Sequence, residues 1–179
     1  VDDTKLDKAA MMNDLLKYKG KSGTACPSVG EWLDAFGEND VVFGVTITSN
    51  LSGSYNAAVD AMHLFAENHP DKHCHIVDTL TAGPEQDLCV EKLQELMLEG
   101  KSFEDIRSEI SEYIKSTHLL FSLESLKNLA NNGRTSQVVA AMAGILGIRL
   151  VGKASDHGTL EPMHKCRGEK KALETLVEH

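Results

Sequence analysis

Residues 41–55, with the sequence VVFGVTITSNLSGSY, decide the fold. The apolar run from Val41 to Val45 is typical of a buried strand, and the pattern that begins at Tyr55 is typical of an amphipathic helix. The loop between them carries a cluster of hydroxyl side chains, namely Thr46, Thr48, Ser49, Ser52 and Ser54. A strand that leads through such a loop into a helix N-terminus offers hydroxyl and backbone N–H donors to an anion. The sequence therefore predicts a carboxylate or phosphate site here, although one of these hydroxyls would also serve as an ordinary helix cap.

Strands and helices alternate on both sides of this stretch. Apolar runs predict strands at 41–47, 73–77 and 118–122. Helical periodicity predicts helices at 4–18, 55–65, 84–98, 103–116, 124–130 and 135–146, and a capping box at Ser28 and Glu31 predicts the start of another. The last part of the chain predicts a hairpin of 149–153 and 159–166, followed by a helix from Gly168.

Strands that are separated by helices form parallel βαβ units, so the predicted class is α/β. We expect a parallel-type sheet with flanking helices in residues 1–148 and the start of a second α/β domain in residues 149–179. The chain lacks an initial Met and stops inside a helical pattern. These two features predict a central fragment of a longer protein, with an N-terminal strand missing and the second domain truncated.

Composition excludes several classes of function. The net charge of −9 argues against broad nucleic-acid binding, which needs a clustered basic face. Because no apolar run approaches the roughly 20 residues of a membrane span, we expect no stable membrane insertion and a cytoplasmic location. The four cysteines are widely spaced without a C-x-x-C pair, which favours structural thiols over zinc or redox chemistry.

Nucleotide-binding and hydrolase motifs are absent from the sequence. The glycines form neither G-x-x-x-x-G-K-[ST] nor G-x-G-x-x-G, and there is no G-x-S-x-G elbow. His73 and His75 share one face of a predicted strand, but spacing offers no third and fourth ligand for a metal. The sequence therefore favours a non-nucleotide anion as ligand.

Three further polar residues are candidates for the same site or its surroundings. Thr24 lies outside the helix cap at Ser28, so its hydroxyl is available to a ligand. Arg167 precedes the last predicted helix and is either a surface charge or the charged partner of an anion. Arg134 follows Gly133 in what is most simply a helix-ending turn, where its charge would be solvated.

Four segments in this order resemble the DegV family of bacterial fatty-acid-binding proteins. They are Thr24–Trp32, Thr48–Tyr55, Leu126–Arg134 and Lys165–Ala172. The resemblance runs from about Asp3 to Leu176. The ordered set is specific, whereas each segment alone would be weak evidence.

The resemblance implies a two-domain α/β fold that encloses one long acyl chain and holds its carboxylate at hydroxyl and Arg side chains. By that similarity Thr24 and Ser49 donate to the carboxylate, Ser52 and Gly53 shape the loop, and Arg167 is the charge partner. Arg134 would belong to the surface that docks a separate fatty acid kinase. This kinase would phosphorylate the presented carboxylate for phospholipid synthesis. The chain itself would be a lipid-binding protein with no catalytic residue, cofactor or metal.

The chain departs from the family pattern in one of these segments. The usual T-S-Q-P reads Thr24-Ala25-Cys26-Pro27, so a hydroxyl and an amide are lost. Two other functions stay open at this point. One is an enzyme or sensor that acts on a small phosphorylated metabolite at the same loop, and the other is an interaction module in which the loop is only structural.

Overall fold

The computed structural model describes residues 6–18, 20, 23–125 and 147–179. The helices of this part are α1 (Lys8–Lys17), α2 (Val29–Phe36), α3 (Ser54–Asn68), α4 (Pro84–Leu98), α5 (Phe103–Ser116) and α6 (Glu169–Val177). The strands are β1 (Val41–Thr46), β2 (His73–Asp78), β3 (Leu120–Leu123), β4 (Ile148–Ala154) and β5 (Leu160–Arg167). The predicted α/β class is confirmed, and most predicted elements lie within a few residues of the observed ones.

The first sheet consists of β1 and β2, which pair in parallel with Val41 opposite His73 and Thr46 opposite Asp78. Helices cover both of its faces. On one face Ile76 packs with buried side chains of α2 and α3, including Phe36, Ala61 and Phe65. On the other face Val77 packs with α4 and α5, whose buried apolar side chains are Cys89, Leu93, Leu96, Ile106 and Ile110. This three-layer arrangement leaves the ends of the two strands as the place where loops can form a site.

Local signals explain where these helices begin and end. The Ser28 hydroxyl accepts the Glu31 N–H, and the Glu31 carboxylate accepts the Ser28 N–H, so the predicted capping box is present at α2. Helix α4 begins with Pro84 and ends before Gly100, whose φ of 72° suits a residue without a side chain. These contacts involve only residues near the helix ends, so the positions where the helices begin and end depend on local sequence.

The second sheet is antiparallel, in the order β3, β4, β5. Leu150 packs with Phe121, Leu123 and Leu160, while Val151 and Cys166 pack with α6. The expectation that every strand after a helix joins a parallel unit is therefore wrong for β3, which pairs antiparallel with β4 in the described part of the chain. The reason is that local periodicity identifies a strand but does not identify its partner.

The predicted domain division between residues 148 and 149 falls at the start of β4, whereas the second sheet begins with β3. The division stays a prediction, and the grouping of strands favours a boundary before Leu120. The predicted helices 124–130 and 135–146, apart from Glu124 and Ser125, lie outside the described residues, as does Arg134. Among the helices that the structure describes, none is both long and apolar enough to cross a bilayer.

Candidate functional site

The hydroxyl-rich loop connects β1 to α3 at the edge of the first sheet where both parallel strands end. The loop that follows β2 lies against it. The Thr48 N–H donates to the Thr81 carbonyl oxygen at 2.8 Å, and the Thr79 hydroxyl donates to the Thr46 carbonyl oxygen at 2.8 Å. Because Thr46, Thr48, Thr79 and Thr81 are all buried, these bonds satisfy polar groups that lie away from water. The Thr46 hydroxyl also donates to the Val77 carbonyl oxygen at 3.3 Å, so part of the hydroxyl cluster is structural.

The tip of the β4–β5 hairpin closes on the same loop. The Thr48 hydroxyl donates to the Gly158 carbonyl oxygen at 2.9 Å, and the Asn50 side-chain amide donates to the His157 carbonyl oxygen at 2.6 Å. Gly158 is buried with a φ of 74°, and a Cβ placed there would meet the Thr48 hydroxyl and lie 3.0 Å from the Leu80 Cα. Glycine is required at this position for both conformation and space. These contacts join the two sheets at the candidate site.

Asp78, the last residue of β2, forms hydrogen bonds to the backbone of this loop and of the loop after β2. Its carboxylate accepts the Ser49 N–H at 3.2 Å and the Leu80 N–H at 3.1 Å. The Ser49 N–H is therefore already paired, and a ligand would reach Ser49 through its hydroxyl. That hydroxyl has no hydrogen bond to any other residue that the structure describes, and the side chain is half-buried.

The structure brings three more of the predicted site residues to this region. The Ser52 hydroxyl accepts the Ser54 N–H at 3.2 Å, and Gly53 is the residue before the first turn of α3. A Cβ at Gly53 would lie 3.6 Å from the Cys26 sulfur, so the segment that contains Thr24 runs beside the loop. Thr24 is exposed and forms no hydrogen bond within the described residues. The hydroxyls of Thr24 and Ser49 are thus available to a ligand.

Arg167 is not brought to this loop. It ends β5 and pairs with Ile148, whereas the hairpin tip that contacts Thr48 lies before Leu160 at the other end of the strand. Seven steps at roughly 3.3 Å per residue separate Leu160 from Arg167 by about 23 Å. The role of Arg167 as the charge partner of a carboxylate at Ser49 stays a prediction, and this geometry does not place the guanidinium in direct contact. The role of Arg134 concerns a residue outside the described part of the chain.

A cavity of about 490 Å³ lies beside the loop that follows β2. Its walls include Leu80, Ile114 and Leu119, with polar groups from Thr79, Glu85 and Ser155. The volume lies within the range of pockets that hold small organic ligands. Leu80 lines this cavity and also donates its N–H to Asp78, so the cavity adjoins the hydroxyl-rich loop.

The burial and packing of the titratable groups near the first sheet indicate that these groups are structural. Burial raises the pKa of both the Cys74 and the Cys89 thiol to about 11. His75 packs edge-on against Phe43, and burial lowers the pKa of its imidazole. His73 stacks on Phe103. In the ranges that the structure describes, no cluster of three or more His, Cys, Asp or Glu side chains is placed to hold a metal ion.

Sequence reasoning missed Asp78 and the hairpin tip. Asp78 could have been found, because it directly follows the apolar run of β2 and the ends of parallel strands meet at one edge. The contact of Thr48 with Gly158 spans 110 positions of sequence. No local sequence pattern predicts such a contact.

Comparison with known proteins identifies relatives along the whole chain. The family model described as "Uncharacterised protein, DegV family" matches residues 1–179. A DegV domain-containing protein of Streptococcus pneumoniae is 45% identical over 178 residues, which are 99% of this chain and 63% of that protein. The chain thus spans less than two thirds of the length of the curated relatives it matches.

Two solved structures are similar in both sequence and fold. A DegV family protein from Eubacterium eligens, loaded with heptadecanoic acid, is 47% identical with a TM-score of 0.92, over 99% of this chain and 64% of that one. The Streptococcus pneumoniae Fatty Acid Kinase (Fak) B3 protein, loaded with linoleic acid, is 44% identical with a TM-score of 0.94, over 99% of this chain and 63% of that one. With the family model matching from end to end, the chain belongs to the DegV family.

Proposed function

We propose that this chain is part of a protein that binds a long-chain fatty acid and presents it to a separate fatty acid kinase for acyl-phosphate formation. The observation that carries the proposal is that both similar structures, at 47% and 44% identity, are loaded with a fatty acid. The name of the second relative supports the kinase as partner. The protein would act as a lipid-binding subunit and leave catalysis to the kinase. Its cytoplasmic location stays a prediction from the sequence.

The geometry supports a carboxylate held by side-chain hydroxyls. Ser49 and Thr24 offer hydroxyls that are not bonded within the described residues, while Ser52 and Gly53 shape the turn into α3. A hydrogen bond to a charged group contributes about 1.5–3 kcal/mol, and each buried CH₂ of an acyl chain contributes roughly 0.8 kcal/mol. The tail would therefore supply most of the affinity, and the hydroxyls would fix the orientation of the head group.

The site offers less support for the alternative, an enzyme or sensor that acts on a small phosphorylated metabolite. The Ser49 N–H donates to the Asp78 carboxylate and the Ser54 N–H, at the start of α3, donates to the Ser52 hydroxyl, so these two backbone donors of the strand-to-helix loop are already bonded and are not open to a phosphate. The other alternative is an interaction module in which the loop is only structural. It is tested by asking whether the protein carries a bound ligand.

The decisive experiment is gentle extraction of the full-length protein followed by native mass spectrometry. We expect a bound species whose mass matches a long-chain fatty acid. An extract free of lipid, together with no binding of added fatty acid, would contradict the proposal and favour an interaction module.

The site assignment is tested by calorimetric titration of the full-length protein with a fatty acid. Ser49→Ala should weaken binding by roughly tenfold or more, since it removes a hydrogen bond to a charged group. Ser108→Ala, on the exposed surface of α5, is the matched control and should bind normally. Adding Arg167→Ala to Ser49→Ala tests the predicted charge partner, because a further loss would show that Arg167 contributes. Equal affinities of Ser49→Ala and the control would refute the assignment.

The kinase-docking role predicted for Arg134 requires a different measurement. Arg134→Glu should lower the rate of kinase-dependent acyl-phosphate formation and leave fatty-acid affinity unchanged. A variant that loses affinity for the fatty acid itself would place Arg134 at the ligand and contradict the docking role.

A further inference from the structure

A buried carboxylate outside the hydroxyl-rich loop has no role in the proposed function. It belongs to Glu85, the second residue of α4, which is only 7% exposed. Its Oε2 is buried and has no hydrogen-bond partner among the described residues. Burial of an ionised carboxylate without a partner is unfavourable, and the partial positive charge at the N-terminus of α4 offsets only part of that cost. Glu85 therefore lacks a hydrogen-bond donor or a cation that the described part of the chain does not supply.

Glu85 lines the cavity of about 490 Å³ beside the loop after β2. Leu80, Ile114 and Leu119 form apolar parts of the wall. Ligand sites are typically apolar cavities in which a few polar groups fix the orientation of the ligand, and the unpartnered carboxylate is such a group. The hydroxyl groups of the wall are already bonded within the chain, namely those of Thr79, Thr117 and Ser155.

The charged groups around the cavity favour a positively charged ligand. Asp156, from the β4–β5 hairpin, adds a second carboxylate to the wall. Lys115 also lines the cavity, but its Nζ lies 2.6 Å from the Glu112 Oε1, which balances its charge. His118 contributes an imidazole, which in its neutral form accepts a hydrogen bond. A ligand in this cavity therefore meets an excess of negative charge and of hydrogen-bond acceptors.

These features separate the cavity from the candidate head-group site. A fatty-acid carboxylate would bring a second negative charge beside Glu85, and an acyl tail has no donor to offer its Oε2. Metal binding is not favoured, because the described ranges hold no group of three or more suitable acidic, His or Cys side chains. An ammonium group supplies both N–H donors and a positive charge, and a short apolar body attached to it would contact the leucine and isoleucine side chains of the wall.

We propose that this cavity is a second ligand site, which binds a small organic cation through an ammonium group bonded to the Glu85 carboxylate. The site is independent of the proposed function, because it uses neither Ser49 nor Thr24. The protein would thus bind two ligands of opposite charge, a fatty acid at the hydroxyl-rich loop and an organic ammonium compound in the cavity.

The test compares two probes of similar size and opposite charge. Butylammonium and butyrate are each titrated into the full-length protein in the presence of palmitate, which occupies the proposed head-group site. Amide resonances are followed by nuclear magnetic resonance. Butylammonium should shift the resonances of Glu85, Leu119 and Asp156 until they saturate, whereas butyrate should leave them in place. Binding of palmitate is measured separately at the Ser49 resonance, so a failure of the proposed function is distinguished from a failure of this inference.

Glu85→Gln tests the assigned carboxylate, because it keeps the size of the side chain and removes the charge. It should weaken binding of butylammonium by about tenfold and leave the affinity for palmitate unchanged. Asp87→Asn is the matched control and should bind butylammonium normally. Asp87 is an exposed acidic residue in the first turn of the same helix and is not among the residues that line the cavity.

Three outcomes would overturn the inference. They are no shift of the cavity resonances with butylammonium, equal shifts with both probes, and an unchanged affinity for butylammonium in Glu85→Gln. If this variant does not fold, thermal unfolding of the wild-type protein gives the answer. Butylammonium should raise the Tm as its concentration increases, because a ligand that binds the folded state stabilises it. A rise no greater than that with butyrate at the same ionic strength would refute the site.

Discussion

Gly158 at the hairpin tip provides the sharpest test of the contact between the two sheets. Its φ of 74° and its buried position leave no room for a side chain. In Gly158→Ala the new methyl group would overlap the Thr48 hydroxyl and lie 3.0 Å from both the Thr48 Cβ and the Leu80 Cα. Thr48 is fully buried, and Leu80 contributes backbone, so neither neighbour can easily move away.

The expected loss of stability has two parts. Placing alanine in the left-handed region costs about 1 kcal/mol. Displacing the Thr48 hydroxyl breaks its buried bond to the Gly158 carbonyl oxygen and leaves an acceptor unsatisfied, which costs about 1–3 kcal/mol. Together these contributions predict a decrease of about 3 kcal/mol in the free energy of unfolding.

Denaturant unfolding of the full-length protein measures this quantity, with Gly100→Ala as the matched control. Gly100 has a similar φ of 72°, but a Cβ there would meet nothing within 4 Å. The control should therefore lose only about 1 kcal/mol. If Gly158→Ala were no more destabilising than Gly100→Ala, the packing of the hairpin tip on the loop would be refuted.

Three further predictions concern the first sheet and its helices. Leu96→Ala should lower the free energy of unfolding by about 3 kcal/mol, because Leu96 is fully buried between α4 and α5; the exposed leucine two residues later is the control, and a small effect at Leu96 would contradict the core assignment. Iodoacetamide should modify the exposed Cys26 and spare Cys89, whose thiol is buried with its pKa raised to about 11; peptide mapping by mass spectrometry would disprove this order if Cys89 reacted first. Ser28→Ala should lower the unfolding midpoint at neutral pH, and less so in acid. Hydrogen bonds from the backbone N–H and hydroxyl of Ser28 lower the pKa of Glu31, and alanine removes only the hydroxyl bond. The stabilisation by that bond exists above the usual pKa of a glutamate and is lost as the pH falls through the lowered value; an unchanged difference between the two proteins in acid would count against it.

Elements whose boundaries depend on local chemistry were predictable from the sequence. The strand at Val41, the capping box at Ser28 and the glycine after α4 each follow from a few neighbouring residues. The partner of β3 was not predictable in this way. The local pattern of this four-residue strand does not name its partner, and the structure pairs it antiparallel with β4, where Phe121 and Leu123 pack with Leu150.

The candidate site was predictable in kind and less so in detail. The clustering of hydroxyls after a strand predicts a site at the edge where the parallel strands end, and the structure places the hydroxyl-rich loop at that edge. The sequence could not show that Asp78 pairs with the Ser49 N–H, or that Arg167 lies a strand length from the hairpin tip. Both facts depend on register and on chain direction between segments that are far apart in sequence.

The loop after β1 combines two tasks, and its hydroxyls divide between them. Thr46 and Thr48 are buried, and their hydroxyls donate to carbonyl oxygens of Val77 and Gly158, so they hold the loop to β2 and to the hairpin. Ser49 is the next residue after Thr48, and its hydroxyl is not bonded within the described residues. Because Thr48, which is bonded to the hairpin tip, and Ser49 are adjacent in the chain, a shift of the hairpin tip would move the Ser49 hydroxyl as well. Ligand affinity at Ser49 and docking of the hairpin on Thr48 should therefore be coupled, and a fatty acid that binds at Ser49 should slow exchange of the Gly158 amide.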